Sequence, residues 1–131
     1  MKFHHIGIII DNLEINSKHI KQIYHLKDKS SCIYDNKINV KIQFLEDENG
    51  LLYELIEPLK ENTGLIKLLT EKKNIMHHIA YEVDDIEKKV NFLRDNNFGI
   101  LTKFLNAKAF NFKRVIFLQT PLNYIIELVE K

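Results

Sequence analysis

Residues 3 to 14 read FHHIGIIIDNLE and residues 76 to 87 read MHHIAYEVDDIE. Laid on each other they match His4 with His77, His5 with His78, Ile6 with Ile79, Asp11 with Asp84 and Glu14 with Glu87, at an offset of 73 residues. The same offset, without a gap, places Phe44-Leu45 on Phe117-Leu118 and ELIE (54 to 57) on ELVE (127 to 130). In both halves the second histidine precedes the first glutamate of that segment by 49 residues. Self-similarity at a fixed period constrains the fold more than any local propensity, because each copy must build the same supersecondary unit. The chain is a tandem duplication.

Each half runs through the same order of hydrophobic periods. Residues 2 to 10 are apolar and β-rich, which predicts a strand. DNLEINSKHIKQIYHL carries Leu13, Ile20, Ile23 and Leu26 at helical spacing, with Asp11 or Asn12 as the cap. SCIYD, INVKIQFLED and LLYELIE follow as strands, the last two joined at DENG, whose Asn-Gly is a hairpin signal. The second half repeats this β-α-β-β-β order with a strand over 76–83, a helix from about Asp84 to Asn97, and strands in GILTKFL, FKRVIFLQ and NYIIELVE. Unit one spans 1–57, unit two 75–131. Between them lies a linker, 58–74, where Pro58 stops the strand and GLIKLLTEK can form one short helix.

A chain of 131 residues at 45% hydrophobic suffices for one well-cored domain and is too short for two ordinary ones. Nineteen Lys and Arg nearly cancel eighteen Asp and Glu, so no general field attracts nucleic acid or an anionic membrane. The single cysteine, Cys32, excludes an internal disulfide framework and a cysteine-rich zinc site. No apolar run approaches the roughly 20 residues of a membrane helix, and no signal-like segment opens the sequence. These features predict a cytoplasmic protein with a small-molecule ligand.

Two β-α-β-β-β units, each led by a His-bearing strand and closed by a Glu-bearing strand, resemble the vicinal oxygen chelate superfamily, the glyoxalase/bleomycin-resistance fold. The resemblance covers essentially the whole chain. It implies an α+β fold in which the tandem units form one open mixed-sheet barrel around a divalent metal, with ligands from the first and last strand of each unit. Carried over by position, the ligands are His5, Glu54, His78 and Glu127, which match the glyoxalase-type pattern without substitution.

The residue chemistry agrees with that set. Strand alternation puts His5 on one face with Phe3, Gly7 and Ile9, and His4 on the other with Ile6, Ile8 and Ile10, so only one histidine of each pair can face a cavity. Two imidazoles and two carboxylates suit Co, Ni, Mn, Fe or Zn. Such an ion polarises a carbonyl and stabilises the enolate formed when a neighbouring proton is lost. A lone His on an apolar strand is ordinarily a packed structural residue, and a lone Glu usually faces solvent. The symmetric recurrence of all four argues otherwise, because burying an unpaired carboxylate is costly.

Among members of this fold, HHIGIII, ELIEPL, MHHIAYEVDDIE and RVIFLQTP with IIELVE look most like methylmalonyl-CoA epimerase and epimerase-like proteins. That likeness implies a metal-dependent epimerase acting by proton abstraction next to a carbonyl, with Glu127 as ligand and base and Glu54 as the other catalytic carboxylate. It also implies an acyl-CoA or other carbonyl substrate and a homodimer. Two departures stand out. Ile42 occupies the place of a second catalytic Glu found in some bacterial epimerases, and NAKAFNFKR replaces the glycine-rich loop before the VIFL strand. Arg114, Lys113 and Gln43 are the candidate substrate contacts, since Arg and Lys can meet a phosphate or carboxylate. The same four ligands also allow a glyoxalase I-type lactoylglutathione lyase, and the fold also hosts non-catalytic binding or resistance proteins, which need no metal ligands.

Overall fold

A computed structural model describes all 131 residues. It contains ten strands and three α-helices and divides into two compact units, His5–His77 and His78–Lys131 together with Met1–His4. No helix is long and apolar enough to cross a membrane.

The first half opens with β1 (Lys2–Ile9), in which His5, Gly7 and Ile9 are buried and their neighbours less so, as alternation requires. Asn12 then caps α1 (Leu13–Tyr24), its side-chain oxygen accepting the Ile15 N–H at 2.9 Å. The helix stops where His25 turns left-handed. The strand predicted over SCIYD forms at its end as β3 (Ile33–Asp35), and a further two-residue strand, β2 (Lys27–Asp28), precedes it; both pair with β4 (Val40–Glu46). β4 turns back into β5 (Leu52–Pro58), which lies antiparallel to β4 and parallel to β1. The strand order in this half is β2-β4-β5-β1. The linker forms α2 (Thr63–Lys72), capped by Asn62 and with no buried residue.

The second half repeats the plan with β6 (Ile75–Val83), α3 (Ile86–Asp95), β7 (Gly99–Ile100), β8 (Leu105–Ala107), a 3-10 turn (Lys108–Phe110), β9 (Lys113–Gln119) and β10 (Ile125–Glu130). Its strand order is β6-β10-β9-β7, with β8 on β9, β6 parallel to β10, and β9 antiparallel to β10. α3 is shorter than the helix predicted over 84–97. Asp85 is its cap, accepting the Lys88 N–H at 2.9 Å, and Asn97 has already turned left-handed (φ 67°). GILTKFL opens on β7, and only its last residue, Leu105, belongs to β8.

The duplication persists down to single hydrogen bonds. In the β4–β5 turn Asp47 Oδ1 accepts the N–H groups of Asn49 (2.9 Å) and Leu51 (2.7 Å), and Gly50 has φ +81°. Between β9 and β10, Thr120 Oγ1 accepts those of Leu122 (3.2 Å) and Tyr124 (3.4 Å), and Asn123, at the position of Gly50, has φ 65°. The left-handed residue is demanded by the turn, and Gly and Asn are the residues that tolerate it.

α1 and α3 each pack on one face of their own half's sheet. Ile10, Leu13, Leu26, Leu45 and Leu55 form the first core; Val83, Ile86, Val90, Leu93, Ile116, Leu118, Ile126 and Leu128 form the second. Burying each of these side chains is worth about 1.5–3 kcal/mol. Alternation then decides the rest. Because Leu45, Leu55, Leu118, Ile126 and Leu128 face the helices, their neighbours Phe44, Glu54, Phe117 and Glu127 face the other side of the sheet.

Candidate functional site

On that other face, each half carries one buried His–Glu pair. In the first, His5 on β1 is 0% and Glu54 on β5 is 3% exposed. The parallel register sets Leu52 beside His5 and Gly7 beside Glu54, so histidine and glutamate are diagonal neighbours. Gly7 has no side chain to fill that diagonal, and Glu54 Oε2 reaches His5 Nε2 at 3.1 Å. In the second half His78 is 1% and Glu127 3% exposed, Ile125 stands beside His78, and Ala80 beside Glu127. His78 Nε2 and Glu127 Oε2 are 3.3 Å apart.

A buried carboxylate is tolerated only where a positive or donating partner faces it. Here an imidazole nitrogen does so in both halves. Each of the four residues offers one ligand atom, an imidazole nitrogen or a carboxylate oxygen. This mixed nitrogen and oxygen donor chemistry fits a first-row divalent cation, and no thiolate competes to select a softer one.

A phenylalanine completes each pair. Phe44 stands directly across β4–β5 from Glu54, and its ring meets that of His5 edge to face, with centroids 5.7 Å apart and planes at 84°. Phe117 stands across β9–β10 from Glu127 and meets His78 in the same way, at 5.1 Å and 82°. The sequence matches Phe44 with Phe117, but nothing in the repeat alone shows that the rings touch the imidazoles. Gly7 and Ala80, the small residues beside the glutamates, are the second shared feature whose role emerges only from the register. Ile42, on the same face as Phe44, is buried between Ile33 and Ile56 and supplies no second base.

The three residues expected to contact substrate stand elsewhere. Gln43 alternates to the helix-facing side of β4, and its Nε2 donates to Asp28 Oδ1 (3.0 Å) and the Ser30 carbonyl (3.3 Å). Lys113 begins β9 and is exposed. Arg114 lies on the helix-facing side of β9, opposite to Phe117. Its Nε and Nη2 donate to the two oxygens of Glu130 (2.9 and 2.6 Å), its Nη1 donates to Glu87 at 2.6 Å, and it lies over the Phe104 ring. The hydrogen bonds to Glu130 and Glu87 hold the guanidinium pKa above its usual value, and those from Arg114 hold Glu130 below the usual carboxylate range.

The repeat explains this use of Arg114. Lys41 occupies the equivalent position in the first half and binds Glu57, the equivalent of Glu130, at 3.1 Å; that hydrogen bond raises the Lys41 pKa. Glu57 also accepts the Leu13 N–H at the start of α1 (2.9 Å). In both halves a cation on β4 or β9 and a glutamate on the last strand tie the sheet to the first turn of its helix.

The sequence profile of the Glyoxalase/Bleomycin resistance protein/Dioxygenase superfamily matches residues 4–117. Solved structures with the same fold cover nearly all of the chain. Methylmalonyl-CoA epimerase from Mycobacterium tuberculosis is 18% identical, with a TM-score of 0.83 over 98% of this chain and 87% of its own. The hypothetical protein BH1468 from Bacillus halodurans C-125 is 26% identical, with a TM-score of 0.86 over 99% and 94%. A variant of Streptomyces coelicolor methylmalonyl-CoA epimerase, in complex with 2-nitronate-propionyl-CoA, is 21% identical, with a TM-score of 0.83 over 100% and 97%. No functionally curated protein matches the sequence.

Proposed function

Because the chain belongs to the Glyoxalase/Bleomycin resistance protein/Dioxygenase superfamily, we propose that its two His–Glu pairs jointly hold one divalent metal ion and that it is an epimerase of an acyl thioester. The observation that carries this reading is the recurrence, at one offset, of a buried imidazole against a buried carboxylate at 3.1 and 3.3 Å. His5, Glu54, His78 and Glu127 are the ligands. A bound divalent ion would supply the positive charge that stabilises an enolate beside a carbonyl.

The remaining chemistry belongs to the chain itself. A Glu127 oxygen accepts the proton from the carbon between a thioester and a carboxylate, and a carboxylate of the pair returns it to either face. Glu54 is the second carboxylate within the set, since Ile42 leaves the middle strand without one. Phe44, Phe117, Val115 and Val129 give the surroundings an apolar lining, which excludes water and strengthens the electrostatic interactions of the carboxylates. The acyl-CoA ligands of structural neighbours, 2-nitronate-propionyl-CoA in one and methylmalonyl-CoA in another, support the thioester class.

Elemental analysis of the purified protein followed by deuterium exchange into methylmalonyl-CoA tests the reading. Stoichiometric metal and exchange at the carbon between the two carbonyl groups are expected; full exchange by metal-free protein would overturn it. The donor set of two His and two Glu also supports a second reading, isomerisation of a hemithioacetal as in lactoylglutathione lyase. Glutathione-dependent turnover of methylglyoxal, without exchange into the thioester, would select that one. We include a homodimer in the proposal, to be checked by light scattering on the eluting protein.

A further inference from the structure

We infer that Phe44 and Phe117 are positioning residues for the metal-binding imidazoles, each holding its histidine so that Nε2 stays turned toward the paired carboxylate. The inference rests on the metal-binding reading above. In each half the three side chains form a closed arrangement on one face of three adjacent strands. Phenylalanine and glutamate are directly opposed in the antiparallel register, Phe44 with Glu54 and Phe117 with Glu127. The histidine comes from the next strand, diagonal to the glutamate. The aromatic ring therefore has to reach across the glutamate-bearing strand to touch the imidazole, and in both halves it does so near the perpendicular, at 84° and 82°.

That geometry restricts what the imidazole can do. A histidine ring has a broad, soft torsion about its last bond, so hydrogen bonding alone leaves its plane poorly fixed. Edge-to-face contact with a phenyl ring adds attraction beyond area burial and depends on the angle between the rings. A ring that rotated would lose this contact and the carboxylate at once. The asymmetry between the two neighbours of each glutamate is consistent with the role: Phe stands on one side, Gly7 or Ala80 on the other, and the histidine belongs to the strand that carries the small residue.

A positioning residue is separated from a packing residue by what its loss changes. Phe44→Leu and Phe117→Leu keep an apolar side chain but remove the ring face, Phe44→Tyr and Phe117→Tyr keep the ring, and Leu118→Ala removes buried volume from the helix-facing side of the same strand. Zinc and cobalt affinities are measured by competition against a chromophoric chelator, with the visible absorption of the Co(II)-loaded protein as a second readout. The Leu variants are expected to weaken metal binding about tenfold or more, the usual scale for losing a side chain that orients a ligand, and to shift the Co(II) bands. The Tyr variants restore affinity, and Leu118→Ala lowers the melting temperature without changing it. Wild-type affinity in both Leu variants would overturn the inference while leaving the metal reading intact. A wild-type protein that binds neither ion would overturn both.

Discussion

Arg114 and Glu130 are joined by two parallel hydrogen bonds, Nε to Oε2 at 2.9 Å and Nη2 to Oε1 at 2.6 Å, on the face of β9 and β10 turned away from Glu127. This fork fixes a residue expected to meet substrate into the link between sheet and helix α3. It also makes part of the folding stability depend on pH. Glu130 is held below the ordinary carboxylate range in the folded chain, chiefly by its hydrogen bonds with Arg114. Between the two pKa values the unfolded chain binds more protons, so the contribution is fully present above the unfolded value of about 4.3. It is lost as pH falls through the lower folded value. Chemical denaturation followed from pH 6 to pH 3 should therefore show a shallower loss of stability in Glu130→Gln than in the wild type. Parallel curves would remove the pair from the account.

Glu127→Gln should keep the fold and lose proton exchange. Removing a positioned base typically costs 10²- to 10⁴-fold, so deuterium incorporation into methylmalonyl-CoA is expected to fall by about a hundredfold or more while the circular dichroism spectrum is unchanged. Exchange within a factor of three of wild type would rule out Glu127 as the base.

The small residues beside the glutamates should resist enlargement. Gly7→Val and Ala80→Val place two methyl groups on the diagonal through which Glu54 and Glu127 reach the histidines. Overpacking of this kind costs about 1–3 kcal/mol. Urea titration should show that loss, accompanied by weaker zinc binding. A stability loss with unchanged zinc affinity would mean that the carboxylates do not need the space.

Zinc or cobalt should stabilise the folded chain through the four ligands together. At a free concentration one hundred times Kd the gain is about 2.7 kcal/mol by mass action. Thermal melts with and without metal should differ in the wild type and coincide in a His5→Ala, His78→Ala double variant. A shift that survives the double variant would place the ion elsewhere.

The helix caps offer a test of the repeat that is independent of the site. Asn12 and Asp85 cap α1 and α3 at equivalent positions. Asn12→Ala and Asp85→Ala should each cost about 1 kcal/mol, and the double variant their sum, because the caps belong to separate helices. Denaturation midpoints of the three variants measure this.

Most of the architecture was legible in the linear sequence because duplication shows the same pattern twice. The order of strands and helices, the hairpin at DENG and the recurrence of the His and Glu positions follow from periods and offsets along the chain, whereas the caps Asn12 and Asp85 were singled out only by the structure. The errors lie where long-range packing intervenes. SCIYD is strand only from Ile33 and GILTKFL only at Gly99–Ile100 and Leu105, and in each half a separate two-residue strand, β2 or β7, pairs with the long strand at a different place. α3 stops two residues short of the expected end, where Asn97 takes a left-handed conformation that no apolar period reports.

The side-chain partners had to await the folded sheet. Lys41 with Glu57 and Arg114 with Glu130 recur at the offset of 73, but a basic residue on a strand looks the same whether it greets a ligand or a carboxylate across the sheet. Phe44 and Phe117 likewise stood out only as a matched pair at that offset. Alternation along one strand determines which residues share a face, so the sequence shows that only one histidine of each pair can face a cavity; the family resemblance selects His5 and His78, and the fold buries both. Which residue on a neighbouring strand stands opposite is set by register. Register depends on pairing between separate segments, 16 residues apart for Arg114 and Glu130 and 47 for Gly7 and Glu54, so the contacts of Phe44 with His5, of Arg114 with Glu130, and of the glutamates with Gly7 and Ala80 were decided by the tertiary structure.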